Sequence, residues 1–158
     1  MPAKTNRGRV AYKAAMRLTY RPAVESDLAQ LYDIRFSVEE NRSCDPAEIP
    51  VSRVLPVLKE GGSFLCLDGG WPVGFSMASF ELGELFGLFL RPGYQGCGIG
   101  RRLLGLATEW MRHQGAAGMR LVTDPGTRAE RLYLAAGWQA TGRNEDTGEV
   151  LLELRLNP

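Results

Sequence analysis

The stretch RPGYQGCGIGRRLL, residues 91–104, places glycines at 93, 96, 98 and 100 and then runs into a leucine-bearing helical pattern. Glycine loses more freedom on folding than any other residue, so this density at a helix start needs a chemical reason. The first N–H groups of a helix have no intrahelical acceptor, and the helix dipole makes that end positive. Bare backbone there lets a phosphate reach the N–H groups directly. Gly96, Gly98 and Gly100 alternate with Cys97 and Ile99, and Arg101 and Arg102 add positive charge just beyond. The chemistry is phosphate binding, since a tight strand-to-helix turn alone is served by one or two glycines. Two common nucleotide fingerprints nevertheless fail. The dinucleotide pattern G-x-G-x-x-G meets Arg101 when counted from Gly96 and Leu103 when counted from Gly98. The P-loop pattern, counted from Gly93 to Gly98, meets Ile99 where lysine is required. The cysteines offer little: Cys44, Cys66 and Cys97 are widely spaced, and His113 has no cysteine pair nearby. That pattern argues for a reducing compartment and against a disulfide framework or a metal site. Cys97 has no neighbouring histidine or carboxylate that would make it a nucleophile.

The elements that must position this loop follow from hydrophobic periodicity. RLTYRPA (17–23) alternates as a first strand, and Ser26 reads as the N-cap of a helix carrying Leu28, Leu31, Tyr32 and Phe36. ENRSCDPAEIP (40–50) is a polar loop, followed by a short helix with Val51, Val54, Leu55 and Leu58 that contains Pro56. SFLCL and WPVGFSMASF flank DGG, a strong hairpin signal. ELFGLFL (84–90) is a fourth strand, interrupted by Gly87, which marks either a bulge or a crowded point in the core. Beyond the glycine loop, Leu103, Leu104, Ala107, Trp110 and Met111 form a helical core stripe. MRLVT (119–123) is a fifth strand, and TRAERLYLAAGW (127–138) is a helix closed by Gly137. WQATG and EVLLELRL bracket a terminal hairpin. Hairpins mixed with β–α–β crossovers predict a mixed sheet in an α/β sandwich.

At 158 residues, 44% hydrophobic and 23% charged, the chain is long enough for one domain with a proper core. No apolar run approaches the ~20 residues a membrane span needs. The formal charge is +1, but Lys4, Arg7, Arg9 and Lys13 crowd an acid-free beginning. Residues 1–15 read as a basic arm or alternative-start extension, and 16–158 as the folded domain. A basic arm on a mildly acidic body argues against nucleic-acid binding, which needs its basic residues on a folded face.

The motif QGCGIG (95–100) resembles the Q/R-x-x-G-x-G/A signature of the GNAT N-acetyltransferase superfamily. The resemblance extends to the strand LFLRPGY before it, the RRLL helix after it and the distal LYLAAGW ending. It covers about residues 16 to 156 and implies a single-domain GNAT-like α/β fold. That fold is a mixed, mostly antiparallel sheet of about seven strands flanked by about four helices, with the fourth and fifth strands splayed. The implied activity is direct transfer of the acetyl group of acetyl-CoA to a primary amine of a small molecule or protein, without a metal. Carried over position by position, Leu88, Phe89 and Leu90 pair with the pantetheine arm. Gln95, Gly96, Cys97, Gly98, Ile99, Gly100 and Arg101 hold the pyrophosphate, and a backbone N–H around Phe89–Leu90 polarises the thioester carbonyl.

Tyr133, four residues before Gly137, matches the family tyrosine proposed as general acid; an ordinary phenol with a pKa of about 10 is protonated at neutral pH. Glu84, eleven residues before Gln95, has the spacing of the general-base glutamate of histone acetyltransferases in the superfamily, with Glu81 or a water relay as substitutes. Arg35, Glu40 and Asn41 fall in the family's variable acceptor-binding region. TDPGT (123–127) stands where the family often has asparagine, which leaves that contact open. The resemblance further implies a cytoplasmic enzyme, with homodimers common and no nucleic-acid or membrane partner. The competing readings are a non-catalytic acyl-CoA-binding module and a nucleotide-dependent oxidoreductase, the latter disfavoured by the absent fingerprint.

Overall fold

The computed structural model describes residues 15–38 and 49–156. The basic arm, Cys44, Glu40, Asn41 and most of the 40–50 loop lie outside the described residues. Seven strands form one sheet: β1 (Leu18–Pro22), β2 (Ser63–Asp68), β3 (Trp71–Ser79), β4 (Glu84–Leu90), β5 (Gly118–Thr123), β6 (Gln139–Arg143) and β7 (Val150–Arg155). Their order is β1-β2-β3-β4-β5-β7-β6. Neighbours are antiparallel except β4 and β5, which run parallel. Among the described residues, four α-helices accompany the sheet: α1 (Leu28–Ser37), α2 (Val51–Lys59), α3 (Ile99–His113) and α4 (Arg128–Ala135).

The sheet divides two cores by its side-chain alternation. On one face Leu31 and Ile34 of α1 and Val54, Val57 and Leu58 of α2 pack on Leu65, Phe75 and Met77. On the other, Leu104, Ala107 and Met111 of α3 and Tyr133 of α4 pack on Ala78, Leu85, Met119, Leu121 and Leu152. Cys66, beside Leu65 in β2, faces the α3 side with Val73, Ile99 and Leu103. The β2–β3 hairpin turns on Gly69 and Gly70, both at positive φ (56° and 87°), as a two-residue turn matched to strand twist demands.

Two local expectations differ. Ser26 lies inside a 3₁₀ turn, Glu25–Asp27, that precedes α1 and is capped from Val24. The Val24 N–H donates to the Asp27 carboxylate at 2.8 Å, and Asp27 also takes both ends of the Arg21 guanidinium at 2.7 and 2.8 Å. The buried line of α1 therefore runs through Asp27, Leu31, Ile34 and Val38, while Phe36 is 43% exposed and stacks on Tyr32. A charged residue at the first buried position disguised the phase of that stripe.

The feature that shapes the site is the divergence of β4 from β5. They pair only at Glu84↔Arg120. On its other edge β4 stays registered with β3 as far as Leu90↔Gly74, but the register jumps from Met77↔Gly87 to Ala78↔Leu85, leaving Phe86 as the extra residue of a bulge. A bulge increases local twist, which swings the later half of β4 away from β5. Gly87 fits both expected reasons, since a Cβ there would also meet the Phe89 and Phe75 rings at 3.3 and 3.5 Å.

Candidate active site

The glycine loop is fastened at both ends. The Arg91 N–H donates to the Val73 carbonyl at 2.8 Å, and its side chain forms an ion pair with Asp33 of α1 at 2.7 Å. Arg91 Nε donates to the Pro72 carbonyl and the guanidinium lies 4.7 Å from the Trp71 ring centroid. Tyr94 is buried, and its hydroxyl donates to Asp68 at the end of β2 (2.8 Å). Within the loop, Gln95 accepts from the Gly93 N–H at 3.0 Å. Gly96 (φ +73°) and Gly98 (φ +83°) take the left-handed conformation. Alternating these with ordinary residues turns successive N–H groups inward, the geometry of an anion nest.

Gly98 is the N-cap of α3, with no side chain capping the helix and no acid in its first turn. The early N–H groups of α3, which have no intrahelical acceptor, therefore meet no competing side-chain cap. Ile99 is fully buried and anchors the helix start, so its side chain is no part of any ligand wall. Gly100 has ordinary helical φ; a Cβ there would approach Leu132 Cδ2 at 3.2 Å and Leu90 Cδ1 at 3.9 Å. Its missing side chain keeps the space between α3, α4 and β4 open.

That space is a cleft of about 1030 Å³. β4 contributes Leu88, Phe89 and Leu90, and the loop and α3 contribute Gln95, Gly96, Gly98, Gly100 and Arg101. Cys97 is not in its wall; its thiol turns back to the Gln95 carbonyl at 3.6 Å. The third wall was missed in the sequence: Arg128, Arg131, Leu132 and Ala135 of α4. Their i, i+3, i+4, i+7 spacing is a helical face, and two arginines on it opposite a glycine loop were the available signal. Because Arg91 donates to β3, strand alternation aims the Leu90 and Leu88 N–H groups the other way, into the gap toward β5. The N–H groups that face the gap are thus those of Leu88 and Leu90 and not that of Phe89, and the bulge sits at Phe86–Gly87, upstream of Phe89–Leu90.

Glu84 occupies the vertex where β4 and β5 meet. Burial pushes its carboxyl above the ordinary glutamate range, and the positive charges of Arg120 and Arg53 partly oppose that rise. Tyr133 faces the core beneath α4, 5% exposed, with its ring 5.6 Å from that of Trp138. Burial raises its phenol pKa further, so it stays protonated well above neutral pH. It is not among the residues lining the cleft. Arg35 lies on the opposite side of β4, its guanidinium 4.3 Å from the Phe89 ring centroid.

The sequence profile of the acetyltransferase (GNAT) family matches residues 26–138. The chain belongs to this family. It is an acetyltransferase. Among GNAT relatives, an aminoglycoside N(6')-acetyltransferase type 1 from Stenotrophomonas maltophilia is 29% identical over 152 residues, covering 89% of this chain and 95% of that protein. Among solved GNAT structures, the PaiA N-acetyltransferase of Thermoplasma acidophilum in complex with coenzyme A superposes with a TM-score of 0.74 at 18% identity. It covers 89% of this chain and all (100%) of its own. The ribosomal-protein-S18-alanine N-acetyltransferase of Escherichia coli gives a TM-score of 0.66 at 22% identity, covering 88% of this chain and 94% of its own. At those identities the structural likeness carries the fold, which here is the GNAT arrangement with a parallel, splayed β4–β5 pair. Among the described residues no helix is long and apolar enough to cross a membrane.

Proposed function

We propose that the cleft seats acetyl-CoA with its diphosphate on the main-chain N–H groups of residues 95–101 and its pantetheine arm along Leu88–Leu90. The observation that carries this reading is the unobstructed start of α3. Two left-handed glycines, a helix end without a cap or an acid, and Arg101, Arg128 and Arg131 converge on one end of a cleft that continues along an unpaired strand edge. Such a surface complements a diphosphate through both N–H donors and charge. Gly100 fits the same ligand by leaving out a Cβ that would project between Leu132 and Leu90.

The bound thioester supplies an activated acetyl group, and the protein supplies three things. The N–H groups of Leu88 and Leu90 stabilise charge on the carbonyl oxygen, the role of an oxyanion hole. Glu84, directly or through a water, takes the proton from the attacking ammonium; a carboxyl with a raised pKa is a better base than an ordinary one. Tyr133 gives a proton to the departing thiolate, a role for which a protonated phenol is suited. The acceptor is a primary amine. Free thiols at Cys66 and Cys97 fit a reducing, cytoplasmic setting.

The test combines coenzyme binding with thiol release. Gly98→Val, which forces a branched residue into φ +83°, should weaken coenzyme A binding by at least tenfold. Tyr133→Phe should lower kcat while leaving the coenzyme Kd unchanged. Unchanged Kd in the first variant sinks the diphosphate seat; unchanged kcat across pH in the second sinks the acid role.

A further inference from the structure

On the α1–α2 face of the sheet, at the bulge of β4, lies a second and smaller pocket of about 180 Å³. Its walls are apolar: Leu31 from α1, Val54 from α2, Phe75 and Met77 from β3, Phe86 and Phe89 from β4. Gly87 also borders it, so the bulge leaves the β4 side of the pocket without a side chain. Phe89 borders both this pocket and the cleft, so the two spaces flank the same stretch of β4. The polar groups are few. The Tyr32 hydroxyl is committed to the Ile49 carbonyl at 2.6 Å, and the Arg35 guanidinium lies over the Phe89 ring. No carboxylate is among the described lining residues.

We propose that this pocket selects the acceptor, taking one uncharged apolar group of amino-acid side-chain size attached next to the reacting amine. The proposal rests on the transferase reading above. Size supports it: a dry apolar cavity of about 150 Å³ is enough to admit benzene, so an isobutyl, thioether or phenyl group fits, and an assembly of several glycosidically linked sugar rings does not. Polarity supports it too. A second ammonium placed here would lose its water against a wall whose described residues offer no carboxylate to replace it. The position is also consistent with the chemistry. A group anchored between Phe86 and Phe89 holds its attached amine at the apolar, β4 side of the cleft and away from the arginine side that suits the diphosphate. The chemistry of the pocket is therefore unlike that of a site built for a polycationic sugar, despite the 29% identity to an aminoglycoside acetyltransferase. A free amine and the amino-terminal residue of a peptide share the recognised feature.

The experiment is thiol-release kinetics of the full chain with acetyl-CoA against glycinamide, leucinamide, phenylalaninamide, lysinamide, a kanamycin-type aminoglycoside, and matched peptides beginning with Gly or Leu. Leucinamide or phenylalaninamide should exceed glycinamide in kcat/KM by about 10- to 100-fold, the discrimination a hydrophobic pocket supplies. Lysinamide and the aminoglycoside should fall at or below glycinamide. If the Leu peptide exceeds leucinamide, the source of the amine is a polypeptide; if leucinamide exceeds the peptide, it is a small molecule, and either order supports the pocket. Ile49→Glu, which adds a carboxylate to the pocket wall, should raise lysinamide relative to leucinamide, with coenzyme Kd and melting temperature reporting that the variant is folded. Equal rates for glycinamide and leucinamide, or a preference for the aminoglycoside in the unmodified protein, overturn the pocket assignment and leave the transferase reading standing. Coenzyme binding with no thiol release on any amine overturns both.

Discussion

Gly100 offers the cleanest separation of folding from ligand binding, because its backbone is helical and only its missing side chain matters. Replacing it by alanine has two opposed effects on stability. Helix propensity favours alanine by up to about 1 kcal/mol. Against that, the new Cβ meets Leu132 Cδ2 at 3.2 Å, which the flexible leucine end relieves by shifting a few tenths of an ångström, and clears Leu90 Cδ1 at 3.9 Å. The net change should stay within about 1 kcal/mol, or roughly 2–4 °C in Tm for a chain of this size. Coenzyme binding responds differently. The Cβ projects into the cleft, and displacing the ligand by even one charged-group hydrogen bond costs about 1.5–3 kcal/mol, roughly a 10- to 150-fold rise in Kd. Gly100→Ala should sit at the low end and Gly100→Val near the high end. The assay is calorimetric titration with coenzyme A beside a ligand-free thermal melt, with pantetheine as a control that lacks the diphosphate and should bind the variants much as it binds the parent. A Gly100→Val protein that melts lower yet binds coenzyme A with parental Kd refutes the reasoning. The glycine would then serve only the packing of α3 on α4.

Three further outcomes follow from the charged groups. If Glu84 is the base, it works deprotonated, so kcat/KM should fall as pH drops through its raised pKa; Glu84→Gln should erase that limb and lower kcat by roughly 10²–10⁴-fold. Arg53→Gln removes a positive charge that favours the carboxylate, so the limb should move to higher pH, and an unmoved limb counts against Glu84 as the titrating group. Asp27 has the opposite sign: its hydrogen bond with Arg21, ahead of the opposing burial, holds its folded pKa below the usual value. Its contribution is therefore complete above the unfolded pKa of about 3.9 and is lost as pH falls through the folded value. Urea unfolding should show Asp27→Asn destabilised by about 1–2 kcal/mol at neutral pH, a difference that shrinks in acid; a pH-independent gap would refute the ionic account.

Much of the fold was legible because its signals are local. The alternation along 17–23, the apolar run of 84–90, the DGG turn, the Gly137 end of α4 and the glycine loop each state their conformation within a few residues. Thr127 caps α4 by accepting from the Glu130 N–H, and Gly137 takes φ +96° to end it. The phase of α1 was not legible, because Asp27 is buried only by virtue of Arg21, a partner in another element. The α4 arginines and the apolar pocket were missed for a similar reason. Their residues come from segments far apart in sequence, and no single window holds the pattern.

The amino-acid order alone determined that α3 would begin with bare backbone, the chemistry of a phosphate seat, since glycine spacing and helix polarity are properties of a dozen consecutive residues. Tertiary structure decided what surrounds it. The extra residue at Phe86 twists β4 off β5 and opens one gap, and the packing of α1 and α2 across the same strand leaves another, lined by apolar side chains. Strand divergence and pocket shape arise from how distant segments twist and pack against one another, a quantity that no local pattern carries.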